Sequence, residues 1–236
     1  MFPASFRMRE FRKRMAASPE FARFAPFLIF CALTTAGGIL GGDWKFWFYA
    51  VKVLVGAWIV WEMRPFVMEM RWAISWEAVV VGVAIFVLWV GLNPYYPMNQ
   101  LLFKDTKESI WNPFDRFGDG GLIAWVLIIV RLMGMTLVVP PLEEVFYRSL
   151  FYRYLIKYDF LKVPLGYFDG VALAIVAATF GFVHFEWLAG IICAVAYQGL
   201  VIRKGRLGDA MSAHAITNLL LGVYVVWKGG DAWKFF

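Results

Sequence analysis

Three short groups of polar residues lie inside otherwise apolar stretches of this sequence. The first is the adjacent pair Glu143 and Glu144, followed by Arg148. The other two groups contain His184 and His214, which are the only two histidines in the chain. Charged side chains at membrane depth cost several kcal/mol unless they are paired or functional. These residues are therefore the candidates for chemistry, and acid–base chemistry is what their types support.

Helical spacing separates the two adjacent glutamates. Glu144 and Arg148 are four residues apart, share a helical face and can form an ion pair. Glu143 is five residues from Arg148 and points elsewhere, so it is left as an unpaired carboxylate. In low-dielectric surroundings such a group binds a proton more tightly and can act as a general base. An ordinary interpretation stays open, because acids in the turn after Pro140-Pro141 also complement the helix dipole.

The histidines complete a set with these acids. His184 shares a helical face with Phe180 and can activate a water together with Glu143, although a histidine near a helix end is often only interfacial or hydrogen-bonded. Glu186 either orients His184 or is a solvated helix end.

His214 and Asn218 lie four residues apart on one helical face. Two donors on one face can hold an oxyanion, and one such donor is worth on the order of 3 kcal/mol. An interhelical hydrogen-bond pair is the alternative. Taken together, the groups predict peptide-bond hydrolysis inside a membrane.

Composition places this chemistry in a bilayer. Of 236 residues, 61% are hydrophobic and 17% are charged, whereas soluble domains are roughly 45–50% apolar and about 25% charged. The fold class is therefore all-α, a polytopic membrane helical bundle. The net charge of +6 indicates membrane topology, with no nucleic acid as partner, because the bases gather in short connections. Cys31 and Cys193 are expected to be small core residues, bridged only if packing brings them together.

Apolar runs predict the membrane helices. They cover residues 24–42, 46–61, 75–92, 122–139, 171–185, 187–202 and 210–227. Pro140-Pro141 is expected to kink or restart the helix. The total is about eight, or seven if the segment 142–161 does not cross the bilayer itself. Lys52 either snorkels or faces the bundle. The polar connection 93–120 lacks a basic excess and is expected on the non-cytoplasmic side.

Three regions follow from this pattern. Residues 1–23 form a basic amphipathic N-terminal segment on an anionic membrane surface, or simply a basic topogenic tail. Residues 24–119 supply the N-terminal transmembrane helices and a loop, and residues 120–236 form the catalytic helical core. The expected location is a bacterial cytoplasmic membrane with the N-terminus in the cytoplasm.

The ordered motifs resemble the type II CAAX prenyl endopeptidase family, also called CPBP intramembrane proteases, which includes bacteriocin-processing and immunity relatives. The family pattern is Glu-Glu-x-x-x-Arg, then Phe-x-x-x-His, then His-x-x-x-Asn or Asp. It is matched over roughly residues 120–227 by Glu143-Glu144 with Arg148, Phe180 with His184, and His214 with Asn218.

The resemblance implies a bundle that opens laterally to the membrane. It implies Glu143 and His184 as the pair that activates water, and His214 with Asn218 as the oxyanion hole. Glu144 and Arg148 would be supporting residues. The implied partners are membrane lipid and a peptide or lipidated protein substrate, either prenylated or carrying a sorting signal.

Whether the protein binds zinc as a cofactor stays open at this point. Glu143, His184 and His214 have the side-chain types that bind zinc, and the resembled family has been regarded as one of metalloproteases. The chain has no His-Glu-x-x-His helix, so a metal-free glutamate mechanism is the favoured expectation.

Two non-proteolytic functions remain as alternatives. In a proton-coupled membrane transporter, Arg131, Glu143, His184 and His214 would form a relay, although no inverted internal repeat is visible. In a non-catalytic immunity-type membrane protein, the motifs would be structural. The order of segments also predicts a depth mismatch of about 10 Å between His184 and His214, at 1.5 Å of rise per residue.

Overall fold

The computed structural model describes residues 4–39, 42–99 and 110–236, and over these residues the chain is a helical bundle without β-strands. The helices are α1 Ala4–Ala17, α2 Pro19–Ile39, α3 Trp44–Met63, α4 Trp76–Leu92, the short α5 Phe114–Phe117, α6 Leu122–Ile156, α7 Gly170–Phe182, α8 Trp187–Lys204 and α9 Gly208–Lys228. Among them, α2, α3, α4, α6, α8 and α9 are long and apolar enough to cross a membrane, and α7 is a shorter apolar helix. The predicted all-α membrane helical bundle is confirmed, and the predicted number of about eight helices is approximate.

Of the two outcomes predicted at Pro140-Pro141, a kink or a restart of the helix, the restart is wrong. Helix α6 runs without a break from Leu122 to Ile156 and contains two π-helical stretches, Gly134–Val138 and Val145–Phe151. Proline has no N–H to donate and its ring crowds the preceding turn. A π-turn widens the helix by one residue, and the Val139 N–H accordingly bonds to the Gly134 carbonyl five residues back. The prolines are thus accommodated within the helix.

The predicted helix over 142–161 also ends early. Helix α6 stops at Ile156, because Lys157 adopts an extended conformation. Parts of other predicted regions fall at residues 1–3, 40–41 and 100–109, which lie outside the described residues. The last of these gaps contains several charged residues of the predicted polar connection 93–120.

One end of the bundle, here called the basic end, contains α1 and the loops 64–75, 157–169 and 205–207. It is tied together by Glu69, whose Oε1 lies 2.7 Å from Arg23 and 3.2 Å from Arg153, and which accepts a hydrogen bond from Ser149. Burial raises the pKa of Glu69, but the charge of Arg23 and the Ser149 hydroxyl outweigh it, so this pKa lies below its usual value. Arg23, the last base of the predicted N-terminal segment, belongs to α2 and is 3% exposed.

The opposite end is closed by polar and aromatic contacts. Asp43 pairs with Arg116 at 2.5 Å. Arg131 stacks on the rings of Tyr49 and Trp111 at 4.6 and 4.5 Å. Lys52 lies over the ring of Phe30 in α2 at 5.1 Å, so of its two predicted orientations it faces the bundle. Both cysteines are free; Cys193 is a buried core residue, as expected, and Cys31 is half-buried.

Candidate active site

Glu144 is buried in the site and contacts two of its other residues. Its Oε2 lies 3.1 Å from Nε of Arg148, so the predicted ion pair is present, and both side chains are 0% exposed. Its Oε1 accepts a hydrogen bond from Nδ1 of His214 at 2.9 Å. The guanidinium of Arg148 also lies over the ring of Phe180 at 4.7 Å. The carboxylate therefore joins α6 to α9, and an arginine stacked on an aromatic ring compensates its charge.

Glu143 points away from this pair, as its spacing predicts. Its side chain is 18% exposed, and its Oε2 lies 3.9 Å from Nε2 of His214. That oxygen is buried and has no hydrogen-bond partner among the residues that the structure describes. A separation above 3.5 Å is too long for a direct hydrogen bond and suits a bridging water. Glu143 thus presents an uncommitted carboxylate oxygen to the imidazole.

His184 lies in the corner 183–186 between α7 and α8. Its Nδ1 is 2.6 Å from the carbonyl oxygen of Phe180. A carbonyl only accepts, so Nδ1 carries the hydrogen and Nε2 of the neutral ring is left as an acceptor. Burial lowers the pKa of His184, and the charge of Glu143 partly opposes that shift. His184 can therefore act as a base through Nε2.

Both predicted roles of Glu186 are wrong. The orienting partner on His184 Nδ1 is the Phe180 carbonyl, which is supplied by the preceding helical turn. Glu186 is buried at 6% exposure and is not a solvated helix end. Burial raises the pKa of the Glu186 carboxyl to about 7.

The corner is held by residues that sequence reasoning missed. Asn99 donates from Nδ2 to the Phe182 carbonyl at 2.7 Å, and Trp187 donates from Nε1 to the Pro97 carbonyl at 2.9 Å. Two glycines let α7 and α8 approach, because a Cβ on Gly190 would lie 3.0 Å from Cα of Gly181. Glycines at helix crossings were the available sequence signal. The loop contacts join residues about ninety positions apart, and no local pattern marks them.

A second group of residues that sequence analysis missed packs against His214. The ring of Tyr197 lies on its imidazole at 5.3 Å, and the Tyr197 hydroxyl donates to Oγ1 of Thr217 at 2.7 Å. Thr217 donates in turn to the Gly82 carbonyl at 2.9 Å. A Cβ on Gly82 would lie 2.8 Å from the carbonyl oxygen of Ala213. The close crossing of α4 and α9 therefore sets the depth of His214.

Asn218 contacts α6 at its π-helical turn. Its Nδ2 donates to the carbonyl of Met135 at 2.7 Å. The Val139 N–H bonds to Gly134, and Pro140 has no N–H, so neither regular helical donor serves Met135. Asn218 supplies that bond from another helix. One of its two amide hydrogens is committed there, and the second has no acceptor among the described residues, so it can serve a ligand.

Phe180 packs near both histidines. Its ring centroid is 4.6 Å from that of His184 and 6.3 Å from that of His214. Within the described part of the chain, no hydrogen bond or ion pair joins His184 to Glu143 or to His214. The structure therefore brings Glu143, Glu144, Arg148 and His214 into one cluster, with His184 and Asn218 at its edges. The described residues contain no group of three or more His, Cys, Asp or Glu side chains placed to hold a metal ion.

The residues of the predicted proton relay do not form a chain of contacts. Arg131 interacts with aromatic rings and with the carbonyl of Phe236. No hydrogen bond or ion pair links it to Glu143 in the ranges that the structure covers.

A comparison with protein-family models bears on these motifs directly. Residues 119–220 match the Rce1-like family of type II CAAX prenyl endopeptidases. The match contains all three motifs and confirms the resemblance predicted over roughly 120–227. Rce1-like proteins are a protease family, which implies a peptide or protein substrate in a membrane context. The curated proteins and the solved structures give no match to the chain.

Proposed function

We propose that this protein is an intramembrane endopeptidase that hydrolyses a peptide bond of a membrane-associated protein, either prenylated or carrying a sorting signal. The observation that carries the proposal is the orientation of Glu143, whose uncommitted oxygen faces His214 at 3.9 Å, while Glu144 is committed to Arg148 and His214. The match of residues 119–220 to Rce1-like proteases supports the same reaction class.

In the proposed reaction, Glu143 and His184 activate a water. The water oxygen attacks the scissile carbonyl carbon, and its proton passes to the Glu143 carboxylate. His184 accepts the second hydrogen bond of the water through Nε2, because its Nδ1 hydrogen is held by the Phe180 carbonyl. When the tetrahedral intermediate collapses, the carbon–nitrogen bond breaks and the proton on Glu143 passes to the leaving amine. General acid–base transfer of this kind contributes typically about 10²–10⁴-fold to the rate.

His214 and Asn218 stabilise the oxyanion in this proposal. The Nδ1 hydrogen of His214 is donated to Glu144, so a hydrogen on Nε2 makes the ring an imidazolium. The imidazolium Nε2 and the second amide hydrogen of Asn218 then donate to the developing negative charge.

We propose that the reaction needs no metal. A zinc site would draw on Glu143, His184 and His214. Glu143 and His214 are near neighbours, but Nδ1 of His184 is committed to the Phe180 carbonyl, and the described residues contain no group of three or more such donors placed to hold a metal ion. The chain's own carboxylate and imidazoles carry the proton transfers.

We also propose that the basic end lies in the cytoplasm. Bases at this end include Arg9, Arg12, Lys13, Arg14, Arg64, Arg71, Lys157, Lys162 and Arg206. Short cytoplasmic connections carry such an excess of lysine and arginine.

Cleavage of a farnesylated peptide in proteoliposomes, performed in heavy-oxygen water and followed by mass spectrometry, tests the proposed function. Hydrolysis predicts two products, with one heavy oxygen in the new carboxylate. A proton-coupled transporter predicts pH-dependent solute flux with an intact peptide, and an immunity-type protein predicts neither. Intact peptide together with flux in the same vesicles would contradict the proposal.

A further inference from the structure

A cavity of about 790 Å³ opens at the basic end, outside the catalytic cluster. It is lined by α1, by the last turns of α3, by the loop 64–75 and by Pro141. None of Glu143, His184, His214 and Asn218 lines it, so this is a separate compartment that meets α6 two residues before Glu143. Its size is in the range of a drug-sized or lipid-headgroup ligand.

The lining combines bases with an apolar wall and contains no acidic residue. The bases are Arg12, Arg64 and Arg71, and the apolar wall includes Val60, Val67, Met68 and Met70. Arg12 is paired with Glu62 at 3.0 Å. Arg64 lies over the ring of Trp61 at 5.1 Å, and within the described residues no ion pair involves Arg64 or Arg71. Two guanidinium groups at the mouth therefore lack a carboxylate, and an anionic ligand would complement them.

The surroundings of the cavity identify the source of that anion. Trp61 in its wall is 65% exposed, and Ile74 close by is 75% exposed. The cavity lies where α3 ends and before α4 begins, and tryptophans there are typical of the level of lipid headgroups. Basic pockets between helix ends are sites for anionic lipid headgroups. The wall is also anchored, because a Cβ on Gly208 at the start of α9 would lie 2.2 Å from the Arg71 carbonyl.

We infer that this cavity binds the phosphate headgroup of an anionic membrane phospholipid. Arg64 and Arg71 hold the phosphate, and the apolar wall formed by Val60 and Met68 receives the start of an acyl chain. The site is independent of the peptidase chemistry and adds a lipid partner to it.

Native mass spectrometry of the purified full chain, titrated with phosphatidylglycerol or phosphatidylcholine, tests this inference. Since each base near a membrane surface is worth about 1 kcal/mol, R64Q/R71Q should bind phosphatidylglycerol about 30-fold more weakly than the wild type. The charge-matched control R9Q/K157Q removes two exposed bases that have no ion pair in the described part of the chain, and should bind like the wild type. R64K/R71K retains the charge and should restore most of the binding.

Three results would overturn the inference. The first is equal retention of phosphatidylcholine and phosphatidylglycerol, which would mark an uncharged apolar slot. The second is unchanged binding by R64Q/R71Q with a melting temperature equal to the wild type. The third is arginine-dependent binding of soluble glycerol phosphate as tight as that of the lipid, which would make free phosphate the ligand.

Discussion

The Nδ1 atom of His214 lies 2.9 Å from Oε1 of Glu144, across seventy residues of sequence. This hydrogen bond places a hydrogen on Nδ1 of the imidazole, because a carboxylate can only accept. It also turns Nε2 towards Glu143. The second glutamate of the motif is therefore a positioning residue in this account, whereas the first is left for chemistry.

The first prediction concerns the buried pair of Glu144 and Arg148. Glu144→Gln leaves the fully buried Arg148 without a compensating charge, and breaking a buried ion pair costs about 3–5 kcal/mol. We expect a clear fall in melting temperature, measured on the detergent-purified protein. The double variant Glu144→Gln/Arg148→Met should recover most of the stability but little peptidase activity, because His214 still lacks its carboxylate. A single variant as stable as the wild type would contradict this role.

The second prediction separates two roles of Asn218. Asn218→Ala should lower kcat by about 10²–10³-fold if the amide donates to the oxyanion. It should also destabilise the fold by about 1–3 kcal/mol, because the Met135 carbonyl loses its buried donor. The measurements are steady-state kinetics and thermal unfolding. A loss of stability without a change in kcat would assign Asn218 to structure alone.

The third prediction concerns the crossing of α4 and α9. Gly82→Ala introduces a Cβ at 2.8 Å from the Ala213 carbonyl oxygen and 2.9 Å from Ile216, so the helices must separate and His214 must move. We expect overpacking to cost about 1–3 kcal/mol, together with a lower kcat. Gly91→Ala in the same helix is the matched control, because nothing lies within 4 Å of its Cβ. Equal kcat values for the two variants would show that this crossing does not position His214.

The fourth prediction is that peptidase activity does not depend on zinc. Protein purified and assayed with a strong chelator should keep its kcat, and elemental analysis should find zinc well below one equivalent per chain. This outcome follows from the donor set, because the described residues contain no group of three or more His, Cys, Asp or Glu side chains placed to hold a metal ion. Stoichiometric zinc, whose removal abolishes activity and whose return restores it, would contradict the metal-free mechanism.

Local spacing was sufficient to predict some of this arrangement. The pairing of Glu144 with Arg148 and the divergence of Glu143 follow from the helical repeat. The shared face of His214 and Asn218 follows from it too. The all-α membrane class follows from composition, because a chain so apolar and so poor in charge does not form a soluble domain.

Other features depend on tertiary contacts that no local pattern encodes. The helix continues through Pro140-Pro141 because a π-turn precedes the prolines and Asn218, on another helix, satisfies the Met135 carbonyl. The packing of Tyr197 on His214 joins two helices that sequence analysis could only place in order. The close approach of α4 to α9 at Gly82 is likewise a contact between helices that spacing within one helix cannot show.

The most direct test of the central claim is the kcat of Glu143→Gln on a farnesylated peptide in proteoliposomes, compared with the wild type and with the melting temperature of each. Glutamine keeps the shape but cannot accept the proton of the attacking water, so kcat should fall by about 10²–10⁴-fold. Because Oε2 of Glu143 has no hydrogen-bond partner among the described residues, the melting temperature should stay within about 2 °C, the shift expected for less than 1 kcal/mol. Wild-type cleavage by this variant would contradict the account.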